Sequence, residues 1–217
     1  MQTLTERVME LSPPGGLFDE TVVCNLFPQH SRGGLRALVH RAVHKEEVLR
    51  LRPDIYCLAR TYRRTHPHPF VVASVLHRPS QISFESALAF HGLIPEAVFE
   101  VASVTPRRSR TFDTPLGPYS FTRVPCNNLR AGVCALKVDD EGWACVATPL
   151  RALADLIYVR REVTWERDGL GFLLNSLRIE EDDLTTLRSE RSDEIVASIR
   201  DRRTRTFLTR LGKELQR

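Results

Sequence analysis

The sequence lacks most of the short motifs that identify common classes of enzyme. It has no GxSxG motif, no phosphate-binding P-loop and no GxGxxG dinucleotide fingerprint. It has no CxxC pair, and its five cysteines are an odd number, which argues against a disulfide framework. No apolar run approaches the roughly 20 residues of a transmembrane helix. These absences favour a protein that is not an enzyme, and we expect no cofactor and no membrane partner.

The cysteines favour a reducing compartment. Several of them lie inside apolar runs, so buried free thiols are the simplest account. They are Cys24, Cys57, Cys126, Cys134 and Cys145. The first residues also lack the apolar core of a secretory signal peptide. We therefore expect a cytoplasmic protein.

The positive charge of the chain is concentrated in one segment. Hydrophobic residues make up 42% of the sequence and charged residues 27%, an ordinary globular balance. The net charge is +4, yet residues 31–64 contain nine Lys or Arg and three acids, so this segment alone has a charge of +6. Such a patch favours a polyanionic partner, because phosphates supply most non-specific affinity for basic proteins. The alternative is a solvated basic surface.

Residues 31–59 predict a short basic helix followed by a β-hairpin. Ser31 can cap the helix. One helix face is apolar, with the spacing of a buried stripe. It consists of Leu35, Leu38, Val39, Ala42 and Val43. Two strands over 48–51 and 55–58 flank a turn at Arg52-Pro53-Asp54.

Two further helices are predicted before this one. A capping box at Thr3 and Glu6 begins the first, and Asp19 can cap the second, which ends at Pro28. Three helices and a hairpin ending near Leu58 have the outline of a winged helix-turn-helix, which makes double-stranded DNA the first partner to consider.

Basic side chains in this unit suit two different contacts with DNA. Arg32 and Arg36 lie in the N-terminal part of the predicted recognition helix, where arginine can donate two hydrogen bonds to guanine. Four others are better placed for phosphates, which orient the protein without specifying sequence. These are Arg41, Lys45, Arg50 and Arg52.

The second region predicts a mixed α/β domain, so the fold class of the whole chain is α+β. A linker over 60–69 precedes helices over 70–76 and 83–91. Five strand-like runs follow, over 98–104, 112–117, 119–124, 133–138 and 143–147. Thr148 and Pro149 predict the start of another helix, and residues 161–217 predict a helical tail. The domain boundaries are therefore 1–60, 61–69 as linker and 70–217.

A few residues of the sequence suggest metal-dependent functions instead. His40 and His44 are four apart on a helix, but Arg41 stands where a zinc HExxH motif has glutamate, so we expect no metal site. A metal-dependent nuclease would need acids and a lysine to converge, and Glu100 and Lys137 are candidates near the acidic run 139–141.

The tail contains a basic run that leaves another alternative open. It consists of Arg200, Arg202, Arg203 and Arg205. A solvated helix face is the simplest interpretation, and a second DNA contact or an acidic protein partner is the alternative.

Three stretches of the second region resemble the AbiEi family of antitoxins, which belong to type IV, abortive-infection toxin–antitoxin systems. They are ISFESALAFHGLIPE at 82–96, VTPRRSRTFDTPLGPYSF at 104–121 and ATPLRALADLIYV at 147–159. The resemblance covers most of residues 1–160. Family members often have Glu-Lys after the last Thr-Pro, where this chain has Leu150 and Arg151. Leu150 can extend the apolar face of the helix.

The resemblance implies an autoregulatory repressor with an antitoxin domain. A winged helix-turn-helix would bind inverted repeats upstream of the operon, and the C-terminal region would oppose a nucleotidyltransferase-like toxin. The recognition-helix role then falls on Arg32, Arg36, His40 and Arg41, and the wing role on Arg50 and Arg52. The alternative is a standalone winged-helix transcription factor whose C-terminal domain binds a ligand or another partner.

Overall fold

Two separate β-sheets organise the chain, each accompanied by helices. The computed structural model describes residues 2–95, 99–140, 142–188 and 191–216. Its α-helices are α1 (Leu4–Leu11), α2 (Glu20–Leu26), α3 (Arg32–His44), α4 (Pro69–Leu76), α5 (Phe84–Phe90), α6 (Pro149–Val159), α7 (Gly169–Gly171), α8 (Ser192–Ser198) and α9 (Arg202–Glu214). Its strands are β1 (Leu17–Asp19), β2 (Val48–Arg52), β3 (Ile55–Leu58), β4 (Gln81–Ile82), β5 (Val101–Thr105), β6 (Arg110–Thr114), β7 (Gly117–Arg123), β8 (Val133–Lys137) and β9 (Trp143–Ala147). The fold is therefore α+β, as predicted.

The first three helices begin at the predicted caps. The Thr3 hydroxyl accepts a hydrogen bond from the Glu6 amide, and the Glu6 carboxylate accepts one from the Thr3 amide at 2.8 Å. The Asp19 carboxylate accepts from the Val22 amide at 3.0 Å, and the Ser31 hydroxyl accepts from the amide three residues later. Each cap satisfies an amide that has no partner within its own helix, which fixes where the helix starts.

Strands β1, β3 and β2 form an antiparallel sheet in that order. Together with α1–α3 they make up the N-terminal unit. The central strand β3 is buried on both faces. Tyr56 and Leu58 pack into the core of the helices, whereas Ile55 and Cys57 pack into the larger core that follows in the chain. The hairpin β2–β3 therefore lies between two cores.

The second sheet has six strands in the order β6-β7-β5-β4-β9-β8. The pairs β5–β7 and β4–β9 are parallel and the other pairs are antiparallel. The five predicted strands correspond to β5–β9, although the predicted start at Val98 lies outside the described residues. The two-residue strand β4 was not predicted. It places Ile82 between the two halves of the sheet.

Helices α4, α5 and α6 pack with this sheet in the larger core. Pro149 occupies the first turn of α6, as predicted. Thr148 stands at the cap position, but its side chain makes no cap hydrogen bond, so the proline rather than the threonine marks the helix start. Gly92 has a φ of +74°, the left-handed conformation expected after the end of α5.

The segment 60–69, predicted to be a linker, packs against the N-terminal unit. Arg60–Tyr62 form a 3₁₀ turn, and Arg63 donates a hydrogen bond to the carbonyl of Leu58 at 3.4 Å. Pro67 is buried so close to Gly15 that a Cβ on that glycine would lie 2.6 Å from the Pro67 Cβ. Gly15 also has a φ of +59°, so two constraints favour glycine there.

The tail is less regular than the predicted run of helix. Between α7 and α9 it contains a π-helical turn (Phe172–Ser176), a 3₁₀ helix (Asp182–Leu187) and α8. Arg203 is not a solvated member of the basic run. Its guanidinium donates to the carbonyls of Ile157, Tyr158 and Arg160 at the end of α6. Arg203 thus ties α9 to α6 by satisfying carbonyls that the helix end leaves free.

Most of the cysteines are not buried. Cys57 is fully buried, but Cys24, Cys134 and Cys145 are exposed, which corrects the expectation of buried thiols. All five are free thiols. Cys134 lies on β8, at the edge of the sheet, and Cys145 lies on its neighbour β9. Among the described residues, none of the helices is long and apolar enough to cross a membrane.

Candidate nucleic-acid interface

One face of α3 is basic and exposed. Arg32, Arg36, His40 and Arg41 are all exposed, whereas Leu35, Leu38 and Ala42 are buried against α1 and the sheet. This division follows from the helical period, which places residues three and four apart on the same side. The helix therefore presents to solvent the side chains that the sequence predicted to contact DNA.

A groove of about 810 Å³ runs between α3 and the hairpin, and we call it the α3 groove. Arg36, His40 and Arg41 line it from α3, and Arg50 lines it from β2. Four of the seven predicted DNA-binding residues are thus brought together. Glu20 and Asp54 also line the groove and partly offset its positive charge. Positive side chains on two neighbouring elements suit a phosphate backbone that passes over both.

The floor of the α3 groove is apolar. Val39 and Val43, predicted to be buried, are only half-buried and line the groove together with Val23. Tyr56 lies there as well, and burial raises the pKa of its hydroxyl although the positive charge of Arg50 opposes the rise. A floor of this kind can contact apolar base edges such as the thymine methyl group.

Arg32 and Lys45 lie outside the α3 groove, near opposite ends of the helix. The 13 residues of α3 span about 20 Å at the usual helical rise. Both side chains are exposed. They are therefore free to extend a contact along the helix axis beyond the groove.

A β-bulge separates Arg52 from Arg50. Arg50 pairs with Tyr56, but Arg52 pairs with the adjacent Ile55, so Leu51 is an extra residue in β2. In a regular strand, residues two apart share a face, and one extra residue reverses this. Arg50 therefore lines the α3 groove, whereas Arg52 lies on the opposite face of the hairpin, where Ile55 packs into the larger core.

A second cavity, of about 700 Å³, lies on that opposite face between the two sheets. We call it the arginine cleft. Its basic side chains are those of Arg52, His77, Arg78, Arg107, Arg108 and Arg110. Among these residues, the sequence identified only Arg52 as a candidate, and it predicted a contact with DNA for that side chain. The basic run Arg107-Arg108-Ser109-Arg110 could have suggested an anion-binding site. It could not show that β2 and α4 lie next to this run in the fold.

His77 lies at the centre of this charge. Burial lowers the pKa of its imidazole, a hydrogen bond to the backbone of Arg108 opposes the change, and the charges of Arg110, Arg107 and Arg52 lower it further. The ring packs edge-on against Phe121, with 5.2 Å between ring centroids. His77 is therefore a neutral imidazole at pH 7, held in a cationic environment.

The residues considered for metal chemistry do not assemble into a site. The rings of His40 and His44 stack with their centroids 6.4 Å apart, and Arg41 lies between them in sequence. Within the described ranges there is no group of three or more His, Cys, Asp or Glu that could hold a metal ion. This statement does not extend to Glu141, which lies outside those ranges.

Glu100 and Lys137, the candidate nuclease pair, lie at opposite ends of the sheet. Strands β5 and β8 run in the same direction with β4 and β9 between them. Glu100 immediately precedes β5 and Lys137 ends β8, and three strand spacings alone separate these strands by about 14 Å. Lys137 instead lies 3.8 Å from the exposed carboxylate of Asp140. The two groups cannot act on one substrate bond.

Arg151, which with Leu150 stands where many AbiEi family members have Glu-Lys, is fully buried. Its Nε lies 3.1 Å from Asp155, four residues later on α6, which is also buried. Leu150 is buried, as its apolar character predicted. The spacing of Arg151 and Asp155 is the sequence signal that could have identified this internal pair.

No family model matches this chain, and no curated protein matches it.

Proposed function

We propose that this protein is a DNA-binding autoregulator, with a winged helix-turn-helix formed by α1–α3 and the hairpin β2–β3. One observation above all supports the proposal. The exposed side chains of α3 and Arg50 of the adjacent hairpin form a single basic groove. The element order, with β1 before α2 and the hairpin after α3, also matches the arrangement expected of a winged helix.

In this proposal α3 enters the major groove of the duplex. Arg32 and Arg36, in its N-terminal half, contact base edges, and Arg41, Lys45 and Arg50 contact phosphates. His40 lines the groove between the arginines and adds a hydrogen-bonding ring. The wing role of Arg52 is given up, because the bulge in β2 turns its side chain to the other face of the hairpin.

The antitoxin role is proposed for the second region as a whole. It rests on the resemblance of residues 82–96, 104–121 and 147–159 to AbiEi antitoxins. Glu96 lies outside the described residues. Arg151 is excluded as a contact for a toxin by its burial. Co-expression with a nucleotidyltransferase encoded beside this gene tests the role: rescue of growth supports it, and undiminished toxicity refutes it.

The DNA-binding proposal is tested on Arg36. We expect Arg36→Ala to weaken binding to the DNA upstream of the gene by about 1–3 kcal/mol and to relax the preference at one base pair. The matched control is Arg130→Ala, which removes an exposed arginine just before β8, outside the N-terminal unit and outside the basic run of the tail. Fluorescence anisotropy with labelled duplexes measures both. Equal affinity of Arg36→Ala and the parent protein would refute the assignment.

A further inference from the structure

The arginine cleft is lined by arginines and by apolar side chains, and we call the apolar lining residues its apolar wall. The apolar lining consists of Leu17, Phe18, Ile55, Val75, Leu76 and Phe112. Among the described residues of the lining, Asp19 is the one acid, and one oxygen of its carboxylate accepts a hydrogen bond from the Val22 amide. The cleft therefore suits a ligand with a strongly anionic part and an apolar, flat part.

The arginines of the cleft have no acidic partners to satisfy them. Arg52, Arg78, Arg107, Arg108 and Arg110 form no ion pairs within the part of the chain that the structure describes. Arg52 and Arg78 each donate to a nearby backbone carbonyl, at 2.9 Å in both cases. Five guanidinium groups gathered beside a single carboxylate, that of Asp19, repel one another, so a bound anion would relieve this repulsion.

Two polar atoms inside the cleft are enclosed and unpartnered. They are Nε of Arg52 and Nε2 of His77, neither of which has a hydrogen-bond partner among the described residues. Buried polar groups are normally hydrogen-bonded, so each such exception calls for an explanation. An anionic ligand in the cleft can supply an acceptor to Nε of Arg52 after a small movement of that side chain.

The size of the cleft also favours a small molecule. Its volume of about 700 Å³ is within the range of pockets for ligands of nucleotide size, roughly 300–1,000 Å³. Guanidinium groups bind phosphate with paired, charge-assisted hydrogen bonds. An aromatic base can pack on the ring of Phe112 and the aliphatic side chains beside it.

We propose that the arginine cleft binds a nucleoside polyphosphate, with its phosphates on the arginines and its base against the apolar wall. The ligand contacts Arg52 of the hairpin and Arg78, Arg107, Arg108 and Arg110 of the second region, and so bridges the two sheets. This site is distinct from the α3 groove and does not depend on the DNA-binding proposal.

Isothermal titration calorimetry of the full chain tests the site. The probes are ATP, GTP, adenosine, inorganic tripolyphosphate and a short duplex of random sequence, each without divalent metal. The test variant is Arg107→Ala with Arg110→Ala, and the control is Arg202→Ala with Arg205→Ala. All four arginines are exposed, so each variant removes two charges with little effect on packing. Replacing Arg107 and Arg110 by lysine keeps the charge but loses the paired hydrogen bonds.

We expect ATP or GTP to bind with a stoichiometry of one, and the test variant to weaken binding about tenfold or more. We expect the affinity of the lysine variant to lie between those of the parent and the test variant, and the affinity of the control to equal that of the parent. Nuclear magnetic resonance of the His77 ring gives a second measure. A bound polyanion stabilises the imidazolium against Arg52, Arg78, Arg107, Arg108 and Arg110, so the pKa of His77 is expected to rise on saturation.

Four results would overturn the proposal. The first is that neither nucleotide binds, and the second is that the control weakens binding as much as the test variant. Tripolyphosphate that binds as tightly as ATP would show that the apolar wall is unused, which rejects a nucleoside ligand. Duplex binding that the test variant abolishes, with no heat from either nucleotide, would make the cleft a surface for DNA phosphates instead. Failure of the α3 groove to bind DNA would leave the proposal intact.

Discussion

At the scale of single residues, the buried ion pair of α6 shows how a charged side chain can be structural. Arg151 donates from Nε to the Asp155 carboxylate and from Nη1 to the carbonyl of Ala131 at 2.9 Å. The Ser83 hydroxyl, just before α5, donates to the same carboxylate at 2.7 Å. The pair thus joins α6 to α5 and to the loop before β8, and neither side chain reaches the surface.

Removing one partner of this pair should be costly. We expect Arg151→Met or Asp155→Leu to lower the free energy of unfolding by about 3–5 kcal/mol, because each leaves an uncompensated buried charge. The double variant should recover much of the loss, since it leaves neither charge. Urea unfolding followed by circular dichroism measures all three.

The exposed pair of Lys137 and Asp140 provides the control for this measurement. Lys137→Met is expected to change stability by less than about 1 kcal/mol, as is usual for a solvated ion pair. Losses of similar size for Lys137→Met and Arg151→Met would contradict the assignment of the α6 pair as the structural one.

At the scale of elements, the two faces of the hairpin β2–β3 line two different cavities. The bulge at Leu51 turns Arg50 toward the α3 groove and Arg52 toward the arginine cleft. We therefore expect Arg50→Ala to weaken DNA binding about equally across sequences and to lower the slope of affinity against salt by about one. Arg52→Ala should leave both the affinity for DNA and the slope of affinity against salt unchanged. Anisotropy titrations at several salt concentrations test this, and equal effects of the two variants would contradict the separation of the faces.

The sequence predicted the elements whose patterns are local. The apolar stripe and Ser31 cap defined α3, and the turn at Pro53 and Asp54 defined the hairpin. The strands β1 and β4 were missed because they have three and two residues, and their partners lie far along the chain. Such short strands are stabilised by pairing and burial rather than by their own propensity.

The binding surfaces were predictable only in part. Four of the seven predicted DNA-binding residues meet in the α3 groove, because they lie on one helix and the hairpin next to it in sequence. The position of Arg52 depends on a β-bulge, and the residue types of β2 do not indicate that a bulge is present. The arginine cleft draws on residues 17–112, so only the tertiary fold brings its members together.

At the scale of the whole molecule, the two sheets share the hairpin. Leu51, Ile55 and Cys57 belong to the larger core, whereas Val48, Tyr56 and Leu58 belong to the core of the N-terminal unit. The strand β3, which is buried on both faces, cannot lose one core without exposing apolar surface on that side. Unfolding of one unit therefore destabilises the other.

This sharing predicts that the chain unfolds as one cooperative unit. Leu51→Ala should lower the free energy of unfolding by about 2–5 kcal/mol and keep a single transition. Fluorescence of Trp143 and Trp165 reports the second region, and far-ultraviolet circular dichroism reports the helices of both. Two separated transitions in the parent protein would contradict the shared core.

The positive charge of the molecule is concentrated on one surface, and this supports the proposal that the α3 groove binds DNA. The α3 groove unites basic side chains of a helix and a hairpin on one surface, and the rest of the chain outside 31–64 has a net charge of only −2. A surface of this kind steers a polyanion to one place on the molecule. Whether it also selects a sequence depends on Arg32 and Arg36 at the start of α3.

The most direct test is fluorescence anisotropy of the purified full chain on the duplex just upstream of its own gene, with a scrambled duplex as control and salt varied for both. A sequence-specific α3 groove should bind the native duplex tightly and the scrambled duplex more weakly, with a steeper dependence on salt. Equal and weak binding to both duplexes would contradict this prediction, because the α3 groove would then be a basic surface without sequence specificity.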